Sequence, residues 1–100
     1  MSGSGGGVSS SDITTPCNNL KFRTDLASPK AAAMDLEIGD ILDVMVQDDG
    51  IVVMFGGAIV GGIACKESAR LKFCLSQGNT YKASVLSKNL GQIRVYVYPE

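Results

Sequence analysis

The chain has 100 residues, with nine Lys and Arg against ten Asp and Glu, no histidine, three cysteines and a net charge of -1. That balance excludes bulk attraction to a polyanion, and the missing histidine excludes Ser-His-Asp and Cys-His catalysis as well as a His-bearing zinc site. With 45% hydrophobic residues and a mean hydropathy above zero, the length fits one small domain, part of whose apolar surface is expected to face a partner.

Residues 1–16 are rich in Ser and Gly, with Val8 and Ile13 the only apolar residues beyond the start. Too little surface can be buried there to offset ordering entropy, so a flexible tail is expected, followed by a single domain over 17–100. The start lacks the basic region and continuous apolar core of a signal peptide. Cys17, Cys65 and Cys74 are odd in number and form no C-x-x-C. They read as buried free thiols in a reducing compartment, not a disulfide scaffold, and point to the cytoplasm.

From Asn18 or Leu20 to Leu26 the chain alternates, with Leu20, Phe22, Thr24 and Leu26 on one side and Lys21, Arg23 and Asp25 on the other, which predicts a half-exposed strand. Residues 28–34 predict a short helical segment, Ser28 placed to cap it and Pro29 at its first position. A turn through Gly39 leads into a strand over 41–47, whose set Leu42, Val44 and Val46 is expected to face the core. Asp48-Asp49-Gly50 closes a turn.

The stretch 51–64 is the longest without a charge, and with Cys65 it covers 15 residues. A helix that spans a bilayer needs about 20, and four glycines with many β-branched residues oppose a helix of any kind. The same letters form a hairpin: one strand over 51–55, a turn at Gly56-Gly57, and the return over 58–64. Neither strand alternates with polar residues, which predicts strands covered on both faces or closed into a small barrel.

After Ala64 the period changes. Leu71, Cys74 and Leu75 fall at helical spacing within 66–76, and Gly78 ends a helix of about ten residues. Strands over 81–86 and 92–98 follow, joined by a loop over 87–91. In the last strand Ile93, Val95 and Val97 share one face and Arg94, Tyr96 and Tyr98 the other. The order of one strand, a short helix, three strands, a helix and two strands predicts a mainly β (α+β) fold, a six-stranded, mostly antiparallel barrel of the small OB or SH3 kind.

Charge is distributed unevenly along this order. Asp35, Glu37, Asp40, Asp43, Asp48 and Asp49 occupy 35–49 with no Lys or Arg, whereas 66–94 carries Lys66, Arg70, Lys72, Lys82, Lys88 and Arg94 against Glu67 alone, so that -6 faces +5. A basic half of this kind either solubilises the domain or receives phosphates or an acidic protein.

No reactive constellation emerges. Asp48-Asp49 before Gly is turn chemistry, and the pairs Gly56-Gly57 and Gly61-Gly62 lack the Lys-Ser/Thr of a phosphate loop and the helix of a dinucleotide fingerprint. We expect no enzyme, no cofactor, no metal and no membrane span. The candidate partner or nucleic-acid surface is Arg70, Lys72, Tyr81, Lys82, Lys88, Arg94, Tyr96 and Tyr98. Cations that track phosphates beside aromatic rings that take bases hold single-stranded nucleic acid, but tyrosine also serves protein interfaces.

Over about 51–97 the chain resembles the second half of a HIRAN domain, the small modified OB-type barrel found beside helicase-like modules and in short bacterial proteins. The resemblance rests on Ile51-Val52-Val53, the run from Gly57 through Ile63, Ala69 and Leu71 in a short helix, Gly78-x-x-Tyr81-x-Ala83-x-Val85 and Ile93-Arg94-Val95. At the place where those domains typically carry an Asn/Pro/Asp-rich stretch, this chain has Gln47-Asp48-Asp49-Gly50. The resemblance implies recognition of single-stranded DNA ends. Two functions are therefore expected: a non-enzymatic module that binds another protein or its own copy, or a HIRAN- or OB-like binder of single-stranded nucleic acid.

Overall fold

A computed structural model describes residues 16–100. The tail expected over 1–16 lies outside the described residues apart from Pro16. The elements are β1 (Phe22–Asp25), β2 (Ile41–Gln47), β3 (Gly50–Phe55), β4 (Ala58–Gly62), α1 (Ser68–Ser76), β5 (Tyr81–Asn89) and β6 (Gln92–Pro99), with 3-10 turns at Cys17–Asn19 and Ala31–Asp35. Six antiparallel strands form one sheet in the order β1-β6-β5-β2-β3-β4. No ladder joins β1 to β4 among the described residues. The two ends of the sheet approach at a single bridge, where the N–H of Ala27 donates to Gly62 O and that of Gly62 to Ala27 O at 2.8 and 2.9 Å.

Alternation decides the layering. Phe22, Leu42, Val44, Ile51, Val53, Val60, Tyr81, Ala83, Val85, Ile93, Val95 and Val97 are buried on the inner side of the sheet, with Leu20 and Leu26 flanking β1. Leu71 and Cys74 of α1, together with Ala33 and Leu36, close over that side. A fully buried Leu or Val contributes about 1.5–3 kcal/mol, so this continuous apolar layer is what holds the fold.

The central hairpin turns where the sequence places it. Gly56 and Gly57 both have positive φ, 62° and 86°, the twist that a two-residue turn between antiparallel strands requires. The expectation that both faces of β3 and β4 are covered is corrected: Val53 is fully buried, whereas Val52, Met54 and Ile59 are half-buried and Phe55 is exposed. The lack of polar alternation therefore marks an apolar outer face at this end of the sheet. Gly62 serves a close approach: a Cβ there would lie 2.9 Å from Ile51 O.

Other boundaries shift for local reasons. Ser28 does not cap a helix; it has φ 47° and Pro29 precedes the 3-10 turn instead of starting it. The bridge at Ala27, and the bond from the Lys30 N–H to Val60 O at 2.9 Å, pull this segment along β4. β1 begins later than expected because Pro16 to Leu20 forms a 3-10 turn. β5 and β6 run on to a two-residue turn at Leu90-Gly91, so the expected five-residue loop is mostly strand. Helix α1 begins at Ser68, whose Oγ accepts from the Cys65 N–H at 2.8 Å and donates to Ile63 O at 3.3 Å. It ends as expected at Gly78, with the N–H groups of Gly78 and Asn79 donating to Leu75 O and Cys74 O.

The reading of three free thiols is corrected. Cys17 and Cys74 form a disulfide across a sequence separation of 57. Only Cys65 is free among the cysteines, half-buried beside Ser68. The inference from free thiols to a reducing compartment loses its basis, since disulfides persist in oxidising surroundings. No helix among the described residues is long and apolar enough to cross a membrane.

Candidate functional site

Strand β6 presents Arg94, Tyr96 and Tyr98 on the outer side because Ile93, Val95 and Val97 occupy the inner one. The rings of Tyr96 and Tyr98 are stacked, with centroids 5.6 Å apart and planes 23° from parallel. Register sets the neighbours: Tyr96 lies opposite Arg23 on β1 and Ser84 on β5, and Tyr98 opposite Lys82. The guanidinium of Arg23 sits over the Tyr96 ring, 5.7 Å from its centroid, a cation–π contact between β1 and β6. Farther along the same face, Ile41 and Met45 of β2 are exposed.

The cations of this face are already engaged. Arg94 meets Asp25 at 3.3 Å, and Gln92 donates to the same carboxylate at 3.0 Å. Lys82 pairs with Asp43, its cross-strand neighbour, and lies 3.9 Å from Glu100. The hydrogen bond to Asp43 is the main reason that the Lys82 ammonium is held above its ordinary pKa. Asp43 and Asp49 of the acidic stretch thus meet Lys82 and Lys72 of the basic one, while Arg94 pairs with Asp25, outside both.

The eight candidate residues divide among four places. Lys82, Arg94, Tyr96 and Tyr98 come together on the outer face. Arg70 and Lys72 lie on α1, Arg70 with its guanidinium 5.1 Å from the Phe73 ring and Lys72 bound to Asp49 at 2.9 Å. Lys88 reaches back to donate to Met34 O at 2.9 Å and Leu36 O at 2.6 Å, where it fastens the end of the 3-10 turn. Tyr81 is corrected. It is only 1% exposed and cannot take a base, because it shares the inner side with Ala83 and Val85. Its hydroxyl donates to Cys17 O.

No family model, no curated protein and no solved structure matches this chain.

Sequence reasoning missed Arg23, Asp25 and Asp43, which shape the outer face as much as the residues it named. The alternation of 20–26 placed Arg23 and Asp25 outward, but only the pairing of β1 with β6 sets them against Tyr96 and Arg94. Asp49 does more than close a turn. Its carboxyl is held below the ordinary 3.8 first by the hydrogen bond from Lys72 and then by that ammonium's charge. Among the described residues, no group of three or more Cys, Asp or Glu is arranged to hold a metal ion.

Proposed function

We propose that this chain is a non-enzymatic binding module whose outer sheet face, centred on Tyr96 and Tyr98, docks a protein partner or a second copy of the chain. The observation that carries the reading is the stacked, half-buried tyrosine pair, with exposed Ile41 and Met45 farther along the same face. Stiff aromatic surface of this kind gives contact area at low entropic cost, and tyrosine is enriched where interfaces are strongest. The ion pairs Asp25–Arg94 and Asp43–Lys82 supply a polar surround.

A protein fits this face better than a polyanion does. Each phosphate contact by Lys82 or Arg94 would compete with a carboxylate already in place, whereas a protein surface can meet both members of each pair. Size-exclusion chromatography with light scattering, at two salt concentrations, tests the self-associating form; a strictly monomeric species at every concentration removes it, and cross-linking to a co-purifying protein then tests the other.

The second reading is a HIRAN- or OB-like binder of single-stranded nucleic acid, favoured by the tyrosine stack with Arg23 and Lys82 beside it. Supporting a barrel of OB or SH3 type is the approach of the two sheet ends at Ala27 and Gly62. Fluorescence anisotropy with labelled oligonucleotides at low salt decides between the readings, because phosphate contacts are strongest there. An absence of binding removes the second.

A further inference from the structure

Alternation assigns Val46 to the inner set of β2 with Leu42 and Val44, yet it is 41% exposed, and Phe73 of α1 is 49% exposed. The nine-residue helix leaves this end of the inner face uncovered. Between α1 and the β2–β3 hairpin lies a groove of about 850 Å³, lined by Val46, Ala69, Lys72, Phe73, Ser76 and Thr80, with Asp49 at its rim. Its volume falls in the range of small-molecule sites. A second hollow of about 320 Å³, lined by Ile51, Ile63 and Ala64, shares Asp49, Ala69 and Lys72 with the first.

Lys72 and Asp49 are the only charged side chains in the lining of either hollow. The ammonium donates to Asp49 Oδ1 at 2.9 Å and to Asp49 O at 3.0 Å, so the ion pair stands between the two spaces. Its members are unequally held. The Lys72 side chain is 38% exposed, whereas that of Asp49 is 94% exposed at the tip of a turn. A displaced Asp49 carboxylate returns to water with little loss, while the ammonium stays at the groove. The site therefore offers a partly buried positive charge, a replaceable counter-ion and an apolar floor.

We propose that this groove binds a small amphiphile, a medium-chain alkyl carboxylate, whose headgroup takes the place of the Asp49 carboxylate at Lys72 Nζ and whose tail lies over Val46 and Phe73. The site is on the helix side of the sheet, away from Tyr96 and Tyr98; Met45, at the margin of the outer face, also enters its lining.

The test is a heteronuclear NMR titration of the full chain with sodium decanoate below its micelle concentration, in parallel with decanol and decyltrimethylammonium. Shifts should cluster at Val46, Ala69 and Phe73, and decanoate should bind at least fivefold more tightly than the other two. Lys72→Met should abolish that preference while tail binding persists, and Asp49→Asn should tighten decanoate binding severalfold. Both positions are on the surface, and thermal melts of the variants verify folding. Equal affinity for the three headgroups, shifts away from the groove, or a Lys72→Met variant that binds decanoate like the parent overturns the proposal.

Discussion

The phenol of Tyr81 donates its hydrogen bond to the backbone carbonyl of Cys17, so an aromatic side chain of the sheet interior holds the same residue that the disulfide holds. Burial pushes the Tyr81 hydroxyl above its ordinary 10.0, and the charge of Arg70 offsets part of that rise. Tyr81→Phe should lower stability by about 1–3 kcal/mol, the cost of leaving an acceptor unpaired. Because the folded pKa is raised, the associated stability is complete below pH 10 and falls as pH rises beyond it. Urea melts from pH 7 to 11 should show that decline in the parent and a shallower one in Tyr81→Phe.

Reduction should be more costly. The bond from Cys17 to Cys74 closes a loop with a sequence separation of 57. Chain-entropy arguments put its contribution at about 4 kcal/mol. Urea melts with and without reductant should differ by a comparable amount, and Cys17→Ala should match the reduced parent. Coincident curves would remove the disulfide from the account of stability.

Gly62→Ala should destabilise more than Gly57→Ala, for different reasons. At position 62 the new methyl meets Ile51 O at 2.9 Å, inside contact distance and against backbone. Forced overpacking of this kind costs about 1–3 kcal/mol. At position 57 the methyl meets nothing within 4 Å, and only the positive φ of 86° opposes it. That strain is worth about 1 kcal/mol. Thermal melts of the two variants rank the two effects, and equal losses would put the close approach of β4 to β3 in doubt.

Tyr96→Ser with Tyr98→Ser should leave the fold nearly intact, because the inner residues Val95 and Val97 are untouched. Association through the outer face should fall at least tenfold. Light scattering and a melt of the same sample separate the two effects. Unchanged association would move the docking surface elsewhere.

Turns and alternation carried most of what could be read in advance. Gly56-Gly57, Asp48-Asp49 and Gly78 mark reversals and a helix end through local backbone demands, which need no knowledge of distant residues. The outward side of β6 followed from its period of two. The same rule applied to Tyr81, Ala83 and Val85 places Tyr81 inside, whatever its polar hydroxyl suggests. Pairing between strands was not legible. Asp43 meets Lys82 and Asp25 meets Arg94 only once the order of the sheet is known, and the bond between Cys17 and Cys74 depends on where α1 lands. The exposure of Val46 depends likewise on how far the helix reaches.

The order β1-β6-β5-β2-β3-β4 inserts β5 and β6, which follow the other strands in the sequence, between β1 and β2. During synthesis β2, β3 and β4 can assemble as soon as they leave the ribosome, but β1, although made first, has no partner until the segment from Gln92 to Pro99 emerges. Phe22, with Leu20 and Leu26 beside it, therefore stays without its ladder through the synthesis of all four strands that lie between β1 and β6 in the sequence.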